Sequence, residues 1–383
     1  MRAILSESTP KPENMPKESR KVHPEQSRRV FVGMSGGVDS SVSALLLKNQ
    51  GYDVTGVHLR CWNRDGCDVR EAKDARRVAS HLGIPFYVLD LEKEYKAKVV
   101  DYMIEGYRQG LTPNPDVMCN KEIKFGLFLE KALEMGADYV ATGHYVRLGS
   151  QHTSDGTALS SEFTLFEAKD KSKDQSYFLW TLSQEQLKHC LFPIGDYLKS
   201  EVRQIARDAG LPTAEKKDSQ GICFVGKVTL EEFLSEYLPQ KEGSVLDSEG
   251  RVVGAHSGAH FYTIGQRHGL GVALNEPHYV AEKDVGGNTV ILVREDNPIL
   301  YRKEVVLSDA NFINKTIQHS QECWIVLARV RYRQPLVPAT LYKIHNTEYK
   351  ILFERPQKFV APGQSAVFYN EDGEMLGGGV ITN

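Results

Sequence analysis

The chain has 383 residues, more than one average domain requires, so two or three domains are expected. At 41% hydrophobic and 25% charged it has the composition of a soluble globular protein with a sizeable core, and no run approaches the roughly 18 uncharged apolar residues of a membrane helix. A formal net charge of -3 argues against a simple non-specific nucleic-acid binder, so any RNA contact must come from local patches.

Residues 1–28 are polar, mixed in charge and carry Pro10, Pro12, Pro16 and Pro24, which reads as a disordered extension. They lack the apolar run of a secretory signal, and Glu7, Glu13, Glu18 and Glu25 do not suit a mitochondrial transit peptide, so a cytoplasmic location is expected. Arg29 to Met34 is an apolar run that reads as a buried strand, followed by the turn Ser35-Gly36-Gly37-Val38-Asp39-Ser40. A helix follows, with Val42, Leu45, Leu46 and Asn49 along one side and Gly51 closing it. Asp53–Leu59 is a second strand, and Val69, Ala72, Arg76 and Ala79 mark a second helix. Ile84–Leu91 is a strand; Val99, Met103, Ile104 and Tyr107 mark a helix; Lys121–Met135 is another helix, and Asp138–Thr142 another strand. This alternation calls for an α/β fold with a parallel sheet covered on both faces. Residues 183–210 look helical, with Val202, Ile205, Ala206 and Ala209 at helical spacing.

Beyond about residue 226 glycines and short alternating runs dominate. Cys323–Val330, Ala339–Ile344, Tyr349–Phe353, Gln364–Tyr369 and Gly377–Ile381 are strand candidates, with turns at Asn346 and Asp372-Gly373. They describe a small β-barrel. The expected division is an extension over 1–28, a catalytic domain over 29–225, a small central domain over 226–300 and a barrel over 301–383.

The turn at Ser35–Ser40 lies between a strand and a helix start, where glycine backbone N–H groups and the helix N-terminus favour an anion, and serine hydroxyls can donate to phosphate. An ordinary tight βα turn uses the same residue types. The loop has neither the lysine of a Walker A motif nor the G-x-G-x-x-G spacing of a dinucleotide fold.

The six cysteines are Cys61, Cys67, Cys119, Cys190, Cys223 and Cys323, with no C-x-x-C pair, so neither a disulfide scaffold nor a zinc ribbon is expected. Cys190 and Cys323 have apolar neighbours and read as core residues; Cys61 and Cys67 have no assigned role. Cys119 sits just before the helix start at Lys121, with Lys124 near, a setting that lowers a thiol pKa below about 8.5 and favours the nucleophilic thiolate. Asp116, three residues earlier, could serve as general acid or base. Cys223 lies in the glycine-containing segment Lys217–Phe224. Either cysteine alone also fits a buried core position.

Ser35-Gly36-Gly37-Val38-Asp39-Ser40 resembles the PP-loop of the N-type ATP pyrophosphatases, a family that includes GMP synthetase, NAD synthetase and the tRNA thiolases. With Gly33-Met34, it is followed in order by Asn114-Pro115-Asp116, Cys119-Asn120-Lys121, Ala141-Thr142-Gly143-His144-Tyr145, Lys173-Asp174-Gln175-Ser176-Tyr177-Phe178, Asp218–Phe224, Thr263-Ile264-Gly265-Gln266-Arg267 and Pro362-Gly363-Gln364-Ser365-Ala366. This series, over residues 29–383, resembles the bacterial tRNA-uridine 2-thiouridylases (the MnmA/TrmU family).

The resemblance implies that ATP, with Mg²⁺, adenylates the C2 oxygen of the wobble uridine of tRNAs for Lys, Glu and Gln, and that sulfur then replaces the oxygen, leaving AMP and pyrophosphate. It implies that Gly33, Met34, Ser35, Gly36, Gly37, Val38, Asp39, Ser40, Leu59 and Gly143 contact the nucleotide, although Leu59 stands where methionine is common. Cys223 matches the cysteine that receives sulfur as a persulfide from a carrier protein, Cys119 the nucleophile that releases it or forms a disulfide with Cys223, and Asp116 the acid/base. Asn114, Pro115, Asp116, His144, Lys173, Asp174, Gln175, Arg331, Tyr332 and Gln364 match tRNA contacts. Arg329, Arg331 and Arg333 alternate and are expected to share one strand face, and Arg267 and His268 lie in a glycine-rich loop; both groups could neutralise phosphates, though a solvated strand face is the plainer alternative. No resident metal, no membrane association and a monomer are expected. The alternatives are another PP-loop enzyme that adenylates a small carboxylate or carbonyl, which would not need both cysteines, and a non-catalytic RNA-binding protein, which would release no pyrophosphate.

Overall fold

A computed structural model describes residues 28–62, 66–152, 158–217, 228–272, 276–313, 322–345 and 348–382. The extension before residue 28, the motif around Cys223 and the turn at Asn346 lie outside the described residues.

The first region is built on a five-stranded sheet of β1 (Arg29–Gly33), β2 (Asp53–Arg60), β3 (Phe86–Asp90), β4 (Tyr139–Ala141) and β7 (Cys190–Leu191). The spatial order is β3-β2-β1-β4-β7, and every pairing is parallel. Alternation on β1 explains why both faces must be covered. Val30 and Val32 join one buried cluster with Val42 and Leu47 of helix α1 (Val38–Asn49), while Phe31 joins the opposite cluster with Phe125 and Phe128. The chain runs from β1 outward through β2 and β3, then returns to β4 on the other side of β1. The C-terminal ends of β1 and β4 therefore flank the crevice where the winding direction reverses, the usual ligand position in such sheets.

Several expectations change in detail. Helix α2 spans Cys67–Leu82, but it buries Ala75, Val78, Ala79 and Leu82 and leaves Val69 59% exposed, so the inward stripe is rotated from the expected one. Residues 183–210 hold a short helix Gln184–Leu187 with a Ser183 capping box, the strand β7, and the helix Lys199–Asp208. The helix expected from Lys121 starts at Pro115 and runs to residue 134 through a π-helical stretch, Cys119–Leu127; Asn114 caps it by accepting from the Val117 N–H at 3.2 Å.

The hairpin β5 (Val146–His152) and β6 (Ala158–Glu167) was not expected. It lies within the first region, yet β6 pairs with the last strand of the chain, Phe166 opposite Glu374 and Leu165 opposite Met375. The central region carries β8 (Gly243–Leu246), β9 (Val252–His256), β10 (His278–Asp284) and β11 (Thr289–Arg294), in the order β10-β11-β8-β9.

The last region is a barrel of β12 (Tyr301–Phe312), β13 (Cys323–Arg329), β14 (Val337–His345), β15 (Glu348–Lys358), β16 (Ser365–Tyr369) and β17 (Glu374–Ile381), closed by pairing of β12 with β17. Its interior holds Leu307, Phe312, Val326, Leu341, Ile351, Phe353 and Phe368. Cys323 is exposed rather than in the core, because it falls on the outward phase of β13. The shared stripe of Arg329, Arg331 and Arg333 does not form: β13 ends at Arg329, and Arg333 has a left-handed φ of 66° in the turn beyond. Among the described residues, no helix is long and apolar enough to cross a membrane.

Candidate active site

The phosphate turn follows β1. Met34 is anchored on both sides: its N–H donates to the Val57 carbonyl at 2.7 Å and its carbonyl faces His58 Nδ1 at 2.9 Å. Gly36 has φ 73°, and a Cβ there would collide with the Glu71 carbonyl oxygen of α2. Gly37 occupies the N-cap of α1 and offers no capping side chain. The Ser35 N–H donates to Ser40 Oγ at 3.2 Å, and Ser41 Oγ donates to the Gly37 carbonyl at 2.7 Å. Val38 and Ser40 are buried in the first turn of α1, and Ser35 is exposed.

Asp39 is the charged centre of this turn. Its carboxylate accepts from Tyr145 Oη at 2.8 Å, and Lys199 Nζ donates to both of its oxygens at 2.8 Å. Lys199 opens the helix Lys199–Asp208, and its side chain is only 12% exposed. Residues 142–145, following β4, close the other wall. A Cβ on Gly143 would lie 2.7 Å from the Ser40 nitrogen, so this approach requires glycine. Thr142 Oγ1 and His144 Nδ1 are 2.7 Å apart. Burial, and secondarily the positive charge of Lys124, hold the His144 pKa well below the ordinary imidazole value, so His144 is neutral near neutral pH. Leu59, at the C-terminal end of β2, is half-buried against two core clusters.

The 112–120 segment carries the expected site residues Asn114, Pro115, Asp116 and Cys119. Pro115 stands in the first helical turn, and Asn114 and Pro115 are buried. Asp116 is open to solvent at its surface but crowded by protein on most sides. That crowding raises its carboxyl pKa above the ordinary value, partly offset by Lys124. Cys119 is the fifth residue of the helix, not the residue before it, so the helix dipole acts on it more weakly than at the N-terminus. It is 6% exposed and shares a cluster with Val99, Met103 and Ile123, against which Leu59, Cys61 and Trp62 also pack.

Three parts of the chain hold this segment in place. Asn120 Nδ2 donates to the Phe178 carbonyl at 3.2 Å. Thr112 Oγ1 lies 3.5 Å from Thr263 Oγ1 of the central region. From the barrel side, Gln364 Nε2 donates to the Thr112 carbonyl at 2.9 Å, and the Thr112 N–H donates to the Pro362 carbonyl at 2.8 Å.

The expected RNA-facing residues are placed as follows. Gln175 Oε1 accepts from the Tyr145 N–H at 3.0 Å, beside the phosphate turn, and Lys173 is partly exposed. Asp174 faces inward, 3% exposed, with its carboxylate held by Arg329 at 3.0 Å. Arg331 donates to the Ile264 carbonyl at 2.7 Å, and Tyr332 packs on Phe178 with ring centres 4.4 Å apart. Cys223 is outside the described residues, but the chain leading to it is anchored at the site. Thr213 Oγ1 donates to Ser41 Oγ at 3.0 Å, and Lys216 pairs with Asp74 of α2 at 2.8 Å. Cys190 is fully buried and its thiol pKa is pushed up by burial, as suits a core residue.

Lys199, Tyr145 and His58 carry contacts to the phosphate turn that the sequence reading did not assign. Tyr145 closes the motif Ala141–Tyr145. Lys199 is 160 residues from Asp39, and its local context marks only a helix start.

Three family profiles cover the chain: "tRNA methyl transferase HUP domain" over residues 28–227, "tRNA methyl transferase PRC-barrel domain" over 231–294 and "Aminomethyltransferase beta-barrel domain" over 302–381. Proteins named tRNA-specific 2-thiouridylase MnmA are similar along nearly their whole length. That of Bacillus licheniformis is 46% identical over 363 residues, covering 93% of this chain and 95% of the relative. That of Nitrosomonas europaea is 45% identical, covering 92% and 98%, and that of Christiangramia forsetii is 43% identical, covering 93% and 100%. A parallel sheet with a glycine-rich phosphate turn at its reversal point, followed by a central β-region and a barrel, defines a PP-loop nucleotide enzyme with two β-modules. Within that class the chain belongs to the tRNA-specific 2-thiouridylase family.

Proposed function

We propose that this chain is a tRNA-uridine 2-sulfurtransferase that uses ATP to replace the C2 oxygen of a tRNA uridine with sulfur. The wobble uridine of tRNAs for Lys, Glu and Gln is the target, the compartment is the cytoplasm and the enzyme works as a monomer. What supports this reading is an anion-ready turn held by Asp39 and Lys199, together with Lys124, whose charge acts both on His144 beside that turn and on Asp116 of the 112–120 segment.

The uracil C2 oxygen is a poor leaving group. Its attack on the α-phosphorus of ATP forms an O–P bond and expels pyrophosphate, after which the oxygen can depart with AMP. Backbone N–H groups of Gly36–Ser40 and the α1 N-terminus face the departing phosphates. Asp39 would offer its carboxylate to the Mg²⁺ that accompanies ATP only by giving up Lys199, which donates to both of its oxygens, and Leu59 and Gly143 border the nucleotide. Cys223 carries the incoming sulfur as a persulfide, received from a carrier protein. The Cys119 thiolate attacks the Cys223 Sγ, forming a Cys119–Cys223 disulfide and releasing hydrosulfide; the hydrosulfide adds at C2 and AMP leaves. A thiol reductant then restores both cysteines. Asp116, with its raised pKa, handles the proton at the base. Asn114, Pro115, His144, Lys173, Gln175, Arg331, Tyr332 and Gln364 shape the tRNA side, and Asp174 supports them from within. The functional units are 29–225, 226–300 and 301–383.

The test is mass spectrometry of tRNA nucleosides after incubation with ATP and a persulfide donor. The unaltered chain yields 2-thiouridine. Cys223→Ser yields none, while tRNA-dependent release of AMP and pyrophosphate persists. Thiolation at the normal rate by Cys223→Ser would sink the two-cysteine scheme.

A further inference from the structure

We infer that His58 is a positioning residue for the ATP site: together with Asp68 it fixes the Met34–Ser35 peptide and so aims the phosphate turn. This deepens the proposed function and rests on its ATP assignment. His58 lies on β2, 3% exposed, next to β1. Its Nδ1 is 2.9 Å from the Met34 carbonyl oxygen and its Nε2 faces an Asp68 carboxylate oxygen; both oxygens accept, so each ring nitrogen donates a hydrogen. Its Nε2 is 2.9 Å from Asp68 Oδ1, and the second Asp68 oxygen accepts from Arg60 Nε at 3.2 Å. Asp68 stands in the first turn of α2, where a carboxylate is favoured by the helix dipole.

The peptide plane carries the effect forward. The Met34 carbonyl and the Ser35 N–H belong to one rigid unit, so holding the oxygen orients the hydrogen. That Ser35 N–H donates to Ser40 Oγ at 3.2 Å, in the first turn of α1. The Glu71 carbonyl against which Gly36 is packed lies in the next turn of α2. Helix α2 therefore grips the turn at two points, through a side-chain relay at Met34 and through its backbone at Gly36. His58 on β2 and Asp68 on α2 act on the turn only through the Met34 carbonyl, which separates positioning from catalysis.

The test is isothermal titration of the full chain with a non-hydrolysable MgATP analogue, and separately with unmodified tRNA. His58→Phe fills the same space without either hydrogen bond. It is expected to weaken nucleotide binding about five- to tenfold, the equilibrium worth of a net hydrogen bond or slightly more, while tRNA affinity stays within twofold. Asp68→Asn keeps the His58–Met34 bond but loosens its far end, and is expected to give a smaller weakening, about two- to threefold. Nucleotide affinity of His58→Phe within twofold of the unaltered chain, or an equal loss of tRNA affinity, overturns the inference. Should His58→Phe fail to fold, Asp68→Asn decides alone: unchanged nucleotide affinity overturns it, and selective loss supports it. An unaltered chain that binds no MgATP analogue would sink the ATP assignment and this inference together; normal binding with no effect of either variant sinks only this one.

Discussion

Asp116 shows how one side chain can be costly to the fold and yet, in the proposed mechanism, useful to the chemistry. Its carboxyl is raised above the ordinary pKa because protein crowds it, and Lys124 only partly offsets this. A raised pKa means the folded state binds the proton more tightly than the unfolded chain, so the ionised form is the destabilising one. That destabilisation is absent below the unfolded pKa and grows as pH rises towards the folded pKa. Asp116→Asn removes it. Its melting temperature should match the unaltered protein below about pH 3, exceed it increasingly as pH rises, and stay above it through neutrality, as calorimetry across pH will show. The same variant should lose about 10²- to 10⁴-fold in single-turnover thiolation if Asp116 moves the proton. A variant both less stable and fully active would contradict both halves. Cys119 illustrates a different limit. The sequence placed its thiol at a helix N-terminus, but the helix starts earlier because Asn114 caps it and Pro115 suits its first turn. The π-helical stretch that contains Cys119 has no simple sequence signature.

At the scale of elements, legibility follows from where the determining contacts lie. β1, β2 and the barrel strands could be read because each carries its own run or alternation of buried residues. Helix α2 was read on the wrong face because Val69 is apolar yet points outward, while Ala75 and Ala79 give only a faint inward signal. The hairpin β5–β6 was missed because its partner is β17, about 200 residues later. Arg329 was misread for the same reason. It reads locally as one basic residue in a row, but it lies at the end of β13 with its guanidinium 3.1 Å from Glu167 and 3.0 Å from Asp174, all three largely buried. Asp174 also accepts from the Ala168 N–H and the Ser176 hydroxyl, so the ion pair sets the loop that positions Gln175 against Tyr145. Arg329→Ala would leave the buried Asp174 carboxylate without its cation, while Glu167 would keep Lys171 at 2.8 Å. Breaking such a pair costs about 3–5 kcal/mol, and urea denaturation should show a loss of that size. A loss below about 1 kcal/mol would mean that water or a neighbouring cation takes the place of Arg329.

At the scale of the whole molecule, the barrel is part of the framework that holds the 112–120 segment. One continuous core runs from Phe31 on β1 through Phe125 and Phe128 to Tyr177, Trp180, Tyr369 and Met375. Tyr177 Oη donates to the Ser365 carbonyl at 2.8 Å, and Trp180 Nε1 donates to Ser365 Oγ at 3.0 Å. A Cβ on Gly378 would lie 2.7 Å from the Trp180 ring, so barrel backbone packs directly on that indole. A chain ending at residue 300 would retain the phosphate turn, Lys199 and Cys119, and on motifs alone it would be an intact ATP-using domain. It would also lay bare Tyr177, Leu179 and Trp180, each at most 3% exposed in the whole chain, and leave the β6 edge without β17. An apolar face beside an open strand edge promotes association. It would further release Thr112 from Pro362 and Gln364, two residues before Asn114. The fragment 29–300 should therefore elute from size exclusion as soluble aggregate or fail to remain in solution. Adding the separate 301–383 barrel should not restore thiolation, because the shared core must form within one folding event. A monomeric, well-folded 29–300 fragment that hydrolyses ATP on addition of tRNA would show instead that the barrel only docks RNA.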